Sequence, residues 1–157
     1  MVKKFQKKYS SSIIVDTTYL LPIVGLRVKG LSREDYEYIL ENYRLFYPTL
    51  LLTELSAVIV KQARKKKLEK LPKQAVEGLN SIIYLEVINL VPLDGEDLRI
   101  VYKLSKLGWR DIFDSILYAT AIRLDMRVLT MDEKFKNFLK EKGLKYELLI
   151  SHKQLIK

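Results

Sequence analysis

The stretch SSIIVD, residues 11–16, indicates the fold class of this chain. Its β-branched run from Ile13 to Val15 is typical of a short strand that is buried on both faces of a parallel sheet. Asp16 follows at the carboxyl end of this predicted strand. Because the sites of open α/β sheets form beyond the carboxyl ends of the strands, Asp16 is the first candidate site residue.

Helical patterns and short apolar runs alternate along the rest of the chain. Further strands are predicted over 86–93, 127–130 and 145–150. Helices are predicted over 17–30, 32–46, 49–71, 73–85, 94–108, 111–125 and 132–143, the first of them irregular. This alternation predicts an α/β fold, a three-layer sandwich with a central parallel sheet, and a single domain over residues 1–157.

The composition and the charge restrict the class of protein. The chain has 157 residues, no cysteine and a formal net charge of +9. Without cysteine, disulfide bonds and thiol chemistry are excluded. The positive charge favours a polyanionic partner such as nucleic acid, and the basic residues 1–10 are expected to form a flexible tail.

The N-terminal sequence is similar to a secretion signal in its basic start and in the apolar run that follows. Asp16 interrupts this run, however, Pro22 follows soon after, and no small-residue cleavage site is present. No uncharged stretch approaches the roughly 20 residues that a membrane-spanning helix needs. The sequence therefore predicts a cytoplasmic protein without a membrane segment.

Three more acids lie against apolar segments. Glu54 lies among leucines near the start of a long predicted helix, Asp114 lies in the first turn of another, and Asp132 follows a predicted strand. Each acid also has a purely structural explanation. Asp114 and Asp132 suit the first turn or the N-cap of a helix. Asp16 suits a strand end, and Glu54 suits a pair with a lysine.

Convergence of these four carboxylates at one sheet edge has an energetic consequence. Two carboxylates about 4 Å apart repel each other by about 4 kcal/mol at an effective dielectric constant of about 20. Protons or a cation must then neutralise them, and a hard divalent ion such as Mg²⁺ or Mn²⁺ suits carboxylate and water ligands. Such an ion held against a phosphodiester can activate water and stabilise the leaving oxygen.

The order of these acids resembles the pattern of the PIN-domain family, which includes the VapC-type toxin ribonucleases. That pattern is an aspartate after the first strand, an acid in a mid-chain helix, an aspartate opening a D-a-x-x-x-A-x-A helix, and T-x-D after the next strand. The corresponding segments are IIVDTTYLL with Asp16, LLLTELSAVI with Glu54, DSILYATA with Asp114 and VLTMDEKF with Asp132. The resemblance extends from about residue 13 to residue 149.

The resemblance implies a metal-dependent endoribonuclease with Mg²⁺ or Mn²⁺ as cofactor and RNA as substrate. If the protein is a toxin, the family implies a small antitoxin protein as its partner, and family members often form homodimers. The catalytic and metal-binding residues that the resemblance implies are Asp16, Glu54, Asp114 and Asp132.

Three further residues are assigned supporting roles. In the family, small polar residues at the positions of Thr18 and Thr130 support the acids by hydrogen bonding. Asp111 lies outside the family pattern and suits the N-cap of its helix. Because it precedes Asp114 by three residues, it also lies on roughly the same helix face.

A basic run follows the Glu54 helix and has two interpretations. It can contact the phosphates of RNA, in which case binding would weaken with added salt. Lysine and arginine also favour solvated helix C-termini, which is the structural alternative. The run consists of Arg64, Lys65, Lys66 and Lys67.

Two other residues are assigned outside the site. His152, the single histidine, is expected on the surface because it lies near the C-terminus. Asp97 lies near a predicted helix start, where an acid favours the helix dipole.

Other functions remain open from the sequence alone. The same fold without catalysis would be an RNA-binding or ribosome-associated scaffold, although a protein that only binds RNA gains nothing from acids facing phosphates. Receiver and haloacid-dehalogenase domains also place an aspartate after the first strand. The former requires an acidic pair near that strand, and the latter a second aspartate where Thr18 stands. A nuclease acting on DNA is a further alternative.

Overall fold

A five-stranded, all-parallel sheet forms the centre of the molecule in the computed structural model, which describes residues 11–156. The predicted basic tail, residues 1–10, lies outside the described residues. The order of the strands across the sheet is β3-β2-β1-β4-β5. The strands are β1 (Ser12–Val15), β2 (Arg44–Pro48), β3 (Asn89–Val91), β4 (Arg127–Leu129) and β5 (Leu149–Ile150).

Within the described residues, seven α-helices flank this sheet. They are α1 (Arg33–Asn42), α2 (Leu52–Lys65), α3 (Lys73–Tyr84), α4 (Asp97–Leu107), α5 (Ile112–Leu124), α6 (Glu133–Glu141) and α7 (His152–Leu155). The predicted α/β sandwich with a central parallel sheet is confirmed. No helix between residues 11 and 156 is both long and apolar enough to cross a membrane.

Strand β1 lies at the centre of the hydrophobic core. Ile13, Ile14 and Val15 are fully buried. The strand pairs in parallel with β2, where Ile13 lies opposite Leu45, and with β4, where Ile14 lies opposite Val128. Burial on both faces explains why the sequence of β1 is a continuous apolar run rather than an alternation of apolar and polar residues.

The strand order creates a switch point beside β1. After β1 the chain adds β2 and β3 on one side, and it then returns to add β4 and β5 on the other. Open α/β sheets form their binding crevice beyond the carboxyl ends of the strands at such a point. At this edge the Asp16 amide donates to the Leu129 carbonyl (3.0 Å), and the Thr130 amide donates to the Ile150 carbonyl (2.9 Å).

Strand β2 replaces the end of the helix that the sequence predicts over 32–46. Helix α1 ends at Asn42, and Tyr43 already has an extended backbone with φ −125° and ψ 143°. Leu45 and Tyr47 of β2 are buried between the neighbouring strands. This part of the prediction is wrong because β2 is determined by its pairing with β1 and β3, which lie far away in the sequence.

Other predicted elements are shorter in the structure than in the sequence analysis. The helix predicted over 49–71 begins as a 3₁₀ turn, and its α-helical part ends at Lys65. The irregular helix predicted over 17–30 is a single 3₁₀ turn, Thr17–Leu20, followed by turns. The strand predicted over 145–150 is a 3₁₀ turn followed by the two residues of β5.

His152 is buried, which contradicts the prediction that it lies on the surface. Its Nε2 donates to the carbonyl of Gly30 (2.8 Å), and its Nδ1 lies 2.9 Å from the Tyr19 hydroxyl. The histidine therefore attaches α7 to the 3₁₀ turn after β1 and to the loop before α1. Sequence position alone gave the wrong result because these partners are more than 100 residues away.

Asp97 forms a buried ion pair that joins two helices. It is fully buried at the start of α4, and it accepts from Nε and Nη2 of Arg123 in α5 at 2.8 and 3.1 Å. Arg123 also donates to the carbonyl of Pro92. Asp97 thus has a structural role away from the candidate site, and this role goes beyond the predicted interaction with the helix dipole.

Candidate functional site

The four predicted acids come from four different elements around the switch point. Asp16 directly follows β1, and Asp132 follows β4 as the N-cap of α6. Glu54 and Asp114 lie in the first turns of α2 and α5, respectively. The strand order brings Asp16 and Asp132 to the same edge, and the two helix starts bring the other two acids within electrostatic range of them.

Asp16 is held at the edge by hydrogen bonds to both of its carboxylate oxygens. Oδ1 accepts from the Thr18 backbone N–H (2.8 Å), and Oδ2 accepts from the Thr130 hydroxyl. Burial raises the pKa of Asp16 to about 6, these hydrogen bonds act in the opposite direction, and the negative charge of Glu54 raises it further. Thr18 and Thr130, predicted as supporting residues, therefore both contact Asp16.

Asp114 lies where the negative charges are concentrated. Burial raises its pKa to about 7, and the charges of Asp111, Asp132 and Glu54 add to this effect in that order. The side chain of Trp109 acts in the opposite direction. At neutral pH Asp114 is therefore protonated in a large fraction of the molecules unless a cation compensates its charge.

The start of the helix that contains Glu54 is attached to the turn after β1 by two hydrogen bonds that the sequence does not indicate. The Tyr47 hydroxyl donates to the carbonyl of Leu51 at the start of α2 (2.7 Å). The Thr17 hydroxyl lies 2.8 Å from the Tyr47 hydroxyl. Burial raises the pKa of Glu54, the Thr17 side chain lowers it, and the charge of Asp111 raises it. The hydrogen bonds from Thr17 through Tyr47 to Leu51 thus connect the start of the Glu54 helix to the turn after β1.

The sequence indicates the roles of Thr17 and Tyr47 to different degrees. Thr17 directly follows Asp16 in the sequence, and this position beside the first strand indicates a residue near the site. In the structure Thr17 is buried. Tyr47 belongs to β2, but it lies just after the helix predicted over 32–46, in no predicted element, and its role depends on a contact 30 residues away. No local pattern indicates such a contact.

Asp132 both caps a helix and joins the hydrogen bonds around Asp16. Its Oδ1 accepts from the Phe135 backbone N–H (3.0 Å), as an N-cap residue does. Its own N–H donates to the Thr130 hydroxyl oxygen (3.0 Å), and that hydroxyl donates to Asp16. Thr130 therefore connects Asp16 and Asp132.

Asp111 is the N-cap of α5, in agreement with the structural explanation for this residue. Its Oδ1 accepts from the backbone N–H groups of Phe113 (2.9 Å) and Asp114 (3.1 Å). The residue is exposed, and its charge contributes to the raised pKa of both Asp114 and Glu54, in each case after burial. Asp111 thus orients the first turn of α5 and adds negative charge to the cluster.

The four acids have no cationic partner among the described residues. The salt bridges found between residues 11 and 156 include none of Asp16, Glu54, Asp114 and Asp132. In the same part of the chain, no three His, Cys, Asp or Glu side chains are close enough together to hold a metal ion. The donor chemistry and the uncompensated charge fit a hard divalent cation, which one or two carboxylates can hold together with water ligands.

The sequence profile of the PIN domain matches residues 13–140 of the chain. This chain belongs to the PIN domain family. PIN domains are typically nucleases, and they generally use divalent metal ions. No curated protein sequence is detectably similar to this chain.

Several solved structures have a similar fold. PAE2754 from Pyrobaculum aerophilum has a TM-score of 0.61 and 17% identity, over 96% of this PIN domain chain and 90% of that one. VapC20 of Mycobacterium tuberculosis, described as a Sarcin-Ricin loop cleaving toxin, has a TM-score of 0.58 and 13% identity. The match covers 85% of this chain and 97% of that one. A toxin-antitoxin complex from Klebsiella pneumoniae has a TM-score of 0.52 and 18% identity, over 78% and 88%. At these identities the similarity concerns the fold alone.

The predicted RNA-contacting run of this PIN domain lies away from the acids. Arg64 and Lys65 end α2, Lys66 and Lys67 follow, and all four are exposed. An α-helix rises about 1.5 Å per residue, so the run lies roughly 15–20 Å from Glu54 along the helix axis. The structure therefore does not bring the run and the acid cluster together; α2 connects them.

Proposed function

We propose that this PIN domain is an endoribonuclease that hydrolyses phosphodiester bonds with Mg²⁺ or Mn²⁺. The main support is the cluster of four carboxylates without a cationic partner in the described part of the chain. Burial and neighbouring negative charge raise the pKa of Asp16 and Asp114 in this cluster. Perturbed carboxylates gathered in one crevice are a common feature of functional sites, and a bound cation would remove their mutual repulsion.

The residues of the cluster would have different tasks. When bound, the metal ion would supply an activated water and would stabilise charge on the phosphodiester. The Thr18 N–H and the Thr130 hydroxyl orient Asp16, and Asp111 orients the turn that contains Asp114. The proposed metal ligands are Asp16, Glu54, Asp114 and Asp132.

The substrate and partner classes follow from charge and from similarity. A formal net charge of +9 favours a polyanion, and RNA is the nucleic acid that we propose. VapC20 is described as a loop-cleaving toxin, and the similar structure from Klebsiella pneumoniae is a toxin-antitoxin complex. On this likeness of fold we propose that the protein is the toxin of such a pair and that a small antitoxin binds it.

The test is cleavage of a labelled single-stranded RNA in the presence of Mn²⁺ or Mg²⁺. We expect the wild-type protein to cut the RNA, EDTA to abolish cutting, and Asp114→Asn to reduce the rate by at least about 100-fold, since even residues behind the ligands of metal sites contribute 10–100-fold. Asp125→Asn is the matched control. Asp125 is an exposed aspartate at the other end of the same helix, and its left-handed backbone (φ 51°) tolerates asparagine.

The outcomes separate catalysis from binding. Cutting by the wild type and by Asp125→Asn, but not by Asp114→Asn or in EDTA, would support the metal nuclease. Equal cutting by Asp114→Asn would contradict the assignment of the acids. Binding of RNA without cutting would favour the RNA-binding scaffold.

A further inference from the structure

A groove lies between the loop after β1 and one face of α2. Leu26 and Arg27 of the loop form one side, and Val58, Gln62 and Lys66 form the other. Its volume is about 320 Å³, which lies within the range of ligand-binding clefts. The acids do not line this groove, so it is a separate feature of the surface.

The groove begins one helical turn away from the acid cluster. Glu54 and Val58 are four residues apart on α2, and Gln62 and Lys66 continue the same spacing. Residues four apart are neighbours on the surface of a helix, and the row that they form turns by about 40° around the helix axis at each step. From Glu54 to Lys66 the helix rises by roughly 18 Å. This length corresponds to about five nucleotides of a stacked strand, which rises about 3.4 Å per nucleotide. The groove therefore leads from the acids towards the end of α2.

The charges of the groove are positive and uncompensated. Arg27 and Lys66 are both exposed, and neither forms a salt bridge with a residue between positions 11 and 156. Among the described residues, no acid lines the groove. The partly buried Gln62 side chain lines the same groove and can donate or accept hydrogen bonds.

The groove also divides the basic run at the end of α2 into two groups. Of the four residues from Arg64 to Lys67, Lys66 alone lines the groove. Lys66 follows Val58 and Gln62 at a spacing of four residues, whereas Lys65 and Lys67 do not line the groove. A specific strand path would therefore use Lys66 together with Arg27, although Arg27 is far from the run in the sequence.

We propose that this groove binds the RNA strand on one side of the cleaved bond, with Arg27 and Lys66 neutralising backbone phosphates. Gln62 would contact the strand between them, and the apolar side chains of Leu26 and Val58 would contact ribose or base. Two cations that line one groove together with apolar and amide side chains are complementary to a strand of alternating phosphates and nucleosides. This inference rests on the proposed function, since it assigns the path of that substrate.

The test measures RNA binding in the full chain with Asp114→Asn, so that the RNA is not cut. A labelled 12-nucleotide single-stranded RNA is titrated by fluorescence anisotropy at several salt concentrations. The double variant Arg27→Ala/Lys66→Ala is compared with Lys65→Ala/Lys67→Ala, which removes the same charge from the same region. All four side chains are exposed, so the variants are expected to fold.

The expected difference follows from counterion release. Each phosphate contact on a single strand contributes about 0.7 to the slope of log K against log salt, so losing two contacts reduces the slope by about 1.4 and weakens binding roughly 25-fold at 0.1 M salt. Lys65→Ala/Lys67→Ala should weaken binding less than about threefold. The same order is expected for kcat/KM of the two double variants in the otherwise wild-type protein.

The outcomes distinguish this inference from the proposed function. If both double variants weaken binding equally while the wild type cuts RNA, the groove assignment is wrong and the nuclease proposal stands. If RNA binding is unaffected by Arg27→Ala/Lys66→Ala while the wild type cuts RNA, the RNA path through the groove is overturned. If the wild type neither cuts nor binds RNA, both proposals fail.

Discussion

The raised pKa values of Asp16 and Asp114 make the stability of the metal-free protein depend on pH. A carboxyl group with a higher pKa in the folded chain binds its proton more tightly there than in the unfolded chain. Its contribution to the free energy of unfolding is therefore complete below the unfolded pKa near 4, and it is lost as the pH rises through the folded pKa. The folded values are about 6 and about 7, so stability is lost as the pH rises through this range, and the loss is complete only above neutral pH. In EDTA we expect a higher Tm at pH 5 than at pH 7.5.

Asp114→Asn should remove much of this pH dependence. The amide is not charged, so at pH 7.5 we expect the free energy of unfolding to rise by roughly 1 kcal/mol, a value reduced from the full shift because the side chain is partly solvated. Urea denaturation in EDTA at both pH values measures this, with Asp125→Asn as the control that leaves the pH dependence unchanged. A lower stability of Asp114→Asn at pH 7.5 would contradict the account of repelling carboxylates.

At the scale of residues, local signals made the four acids candidates for a site but did not indicate all of their contacts. Asp16 and Asp132 were visible because each lies next to an apolar strand in the sequence. The Thr17–Tyr47 contact joins residues 30 positions apart, and the Tyr19–His152 contact joins residues 133 apart. Hydrogen bonds of this kind depend on the folded topology, so a single sequence offers no periodic pattern from which to predict them.

At the scale of elements, α3 packs against the loop after β1 through a glycine. A Cβ atom at Gly78 would lie 2.2 Å from the backbone oxygen of Ile23. Backbone atoms cannot move aside as a flexible side chain can, so the helix or the loop would have to shift. The close approach of α3 to this loop therefore requires glycine at this position.

Gly78→Ala should destabilise the protein although alanine favours helices. The clash costs about 1–3 kcal/mol or more, against a gain in helix propensity of about 1 kcal/mol, so we expect a net loss of stability in urea denaturation. Gly95→Ala is the control, because no atom lies within 4 Å of a Cβ at Gly95. Equal stability of the two variants would mean that α3 and the loop can separate at no cost.

The predicted elements with a distinct period were confirmed, and the errors occurred where two elements adjoin. The amphipathic pattern of α1 was extended into β2 because Leu45 and Phe46 continue an apolar pattern without an intervening glycine or proline. Tyr43 changes the backbone to an extended conformation, and the pairing with β1 and β3 then determines the strand. Pairing with distant strands overrides local propensity at such a boundary.

At the scale of the whole molecule, the alternation of helices and strands predicted the α/β class but did not specify the strand order. The candidate site depends on that order, because β1 and β4 must be neighbours to bring Asp16 and Asp132 to one edge. The resemblance to the PIN pattern placed the acids in the correct elements. It did not indicate the hydrogen bonds by which Thr130 connects Asp16 and Asp132.

The pair of Asp97 and Arg123 connects α4 to α5, and α5 contains Asp114. The carboxylate of Asp97 is fully buried and accepts from the guanidinium of Arg123 at 2.8 and 3.1 Å. Asp97 also accepts from the Asp94 backbone N–H (3.0 Å). A buried charge of this kind is tolerated only while its partner remains, so the pair makes the packing of these two helices depend on a single arginine.

Arg123→Leu should therefore unfold at a lower urea concentration, with a loss of about 3–5 kcal/mol, because it leaves the Asp97 carboxylate buried and unpaired. Arg99→Leu is the matched control: its exposed pair with Glu96 has the same Nε–O distance of 2.8 Å, and losing it should cost less than about 1 kcal/mol. The double variant Asp97→Leu/Arg123→Leu should recover part of the loss, since no charge remains buried, although the Asp94 N–H loses its acceptor. Equal losses for Arg123→Leu and Arg99→Leu would show that water reaches Asp97 and that the pair does not join the helices.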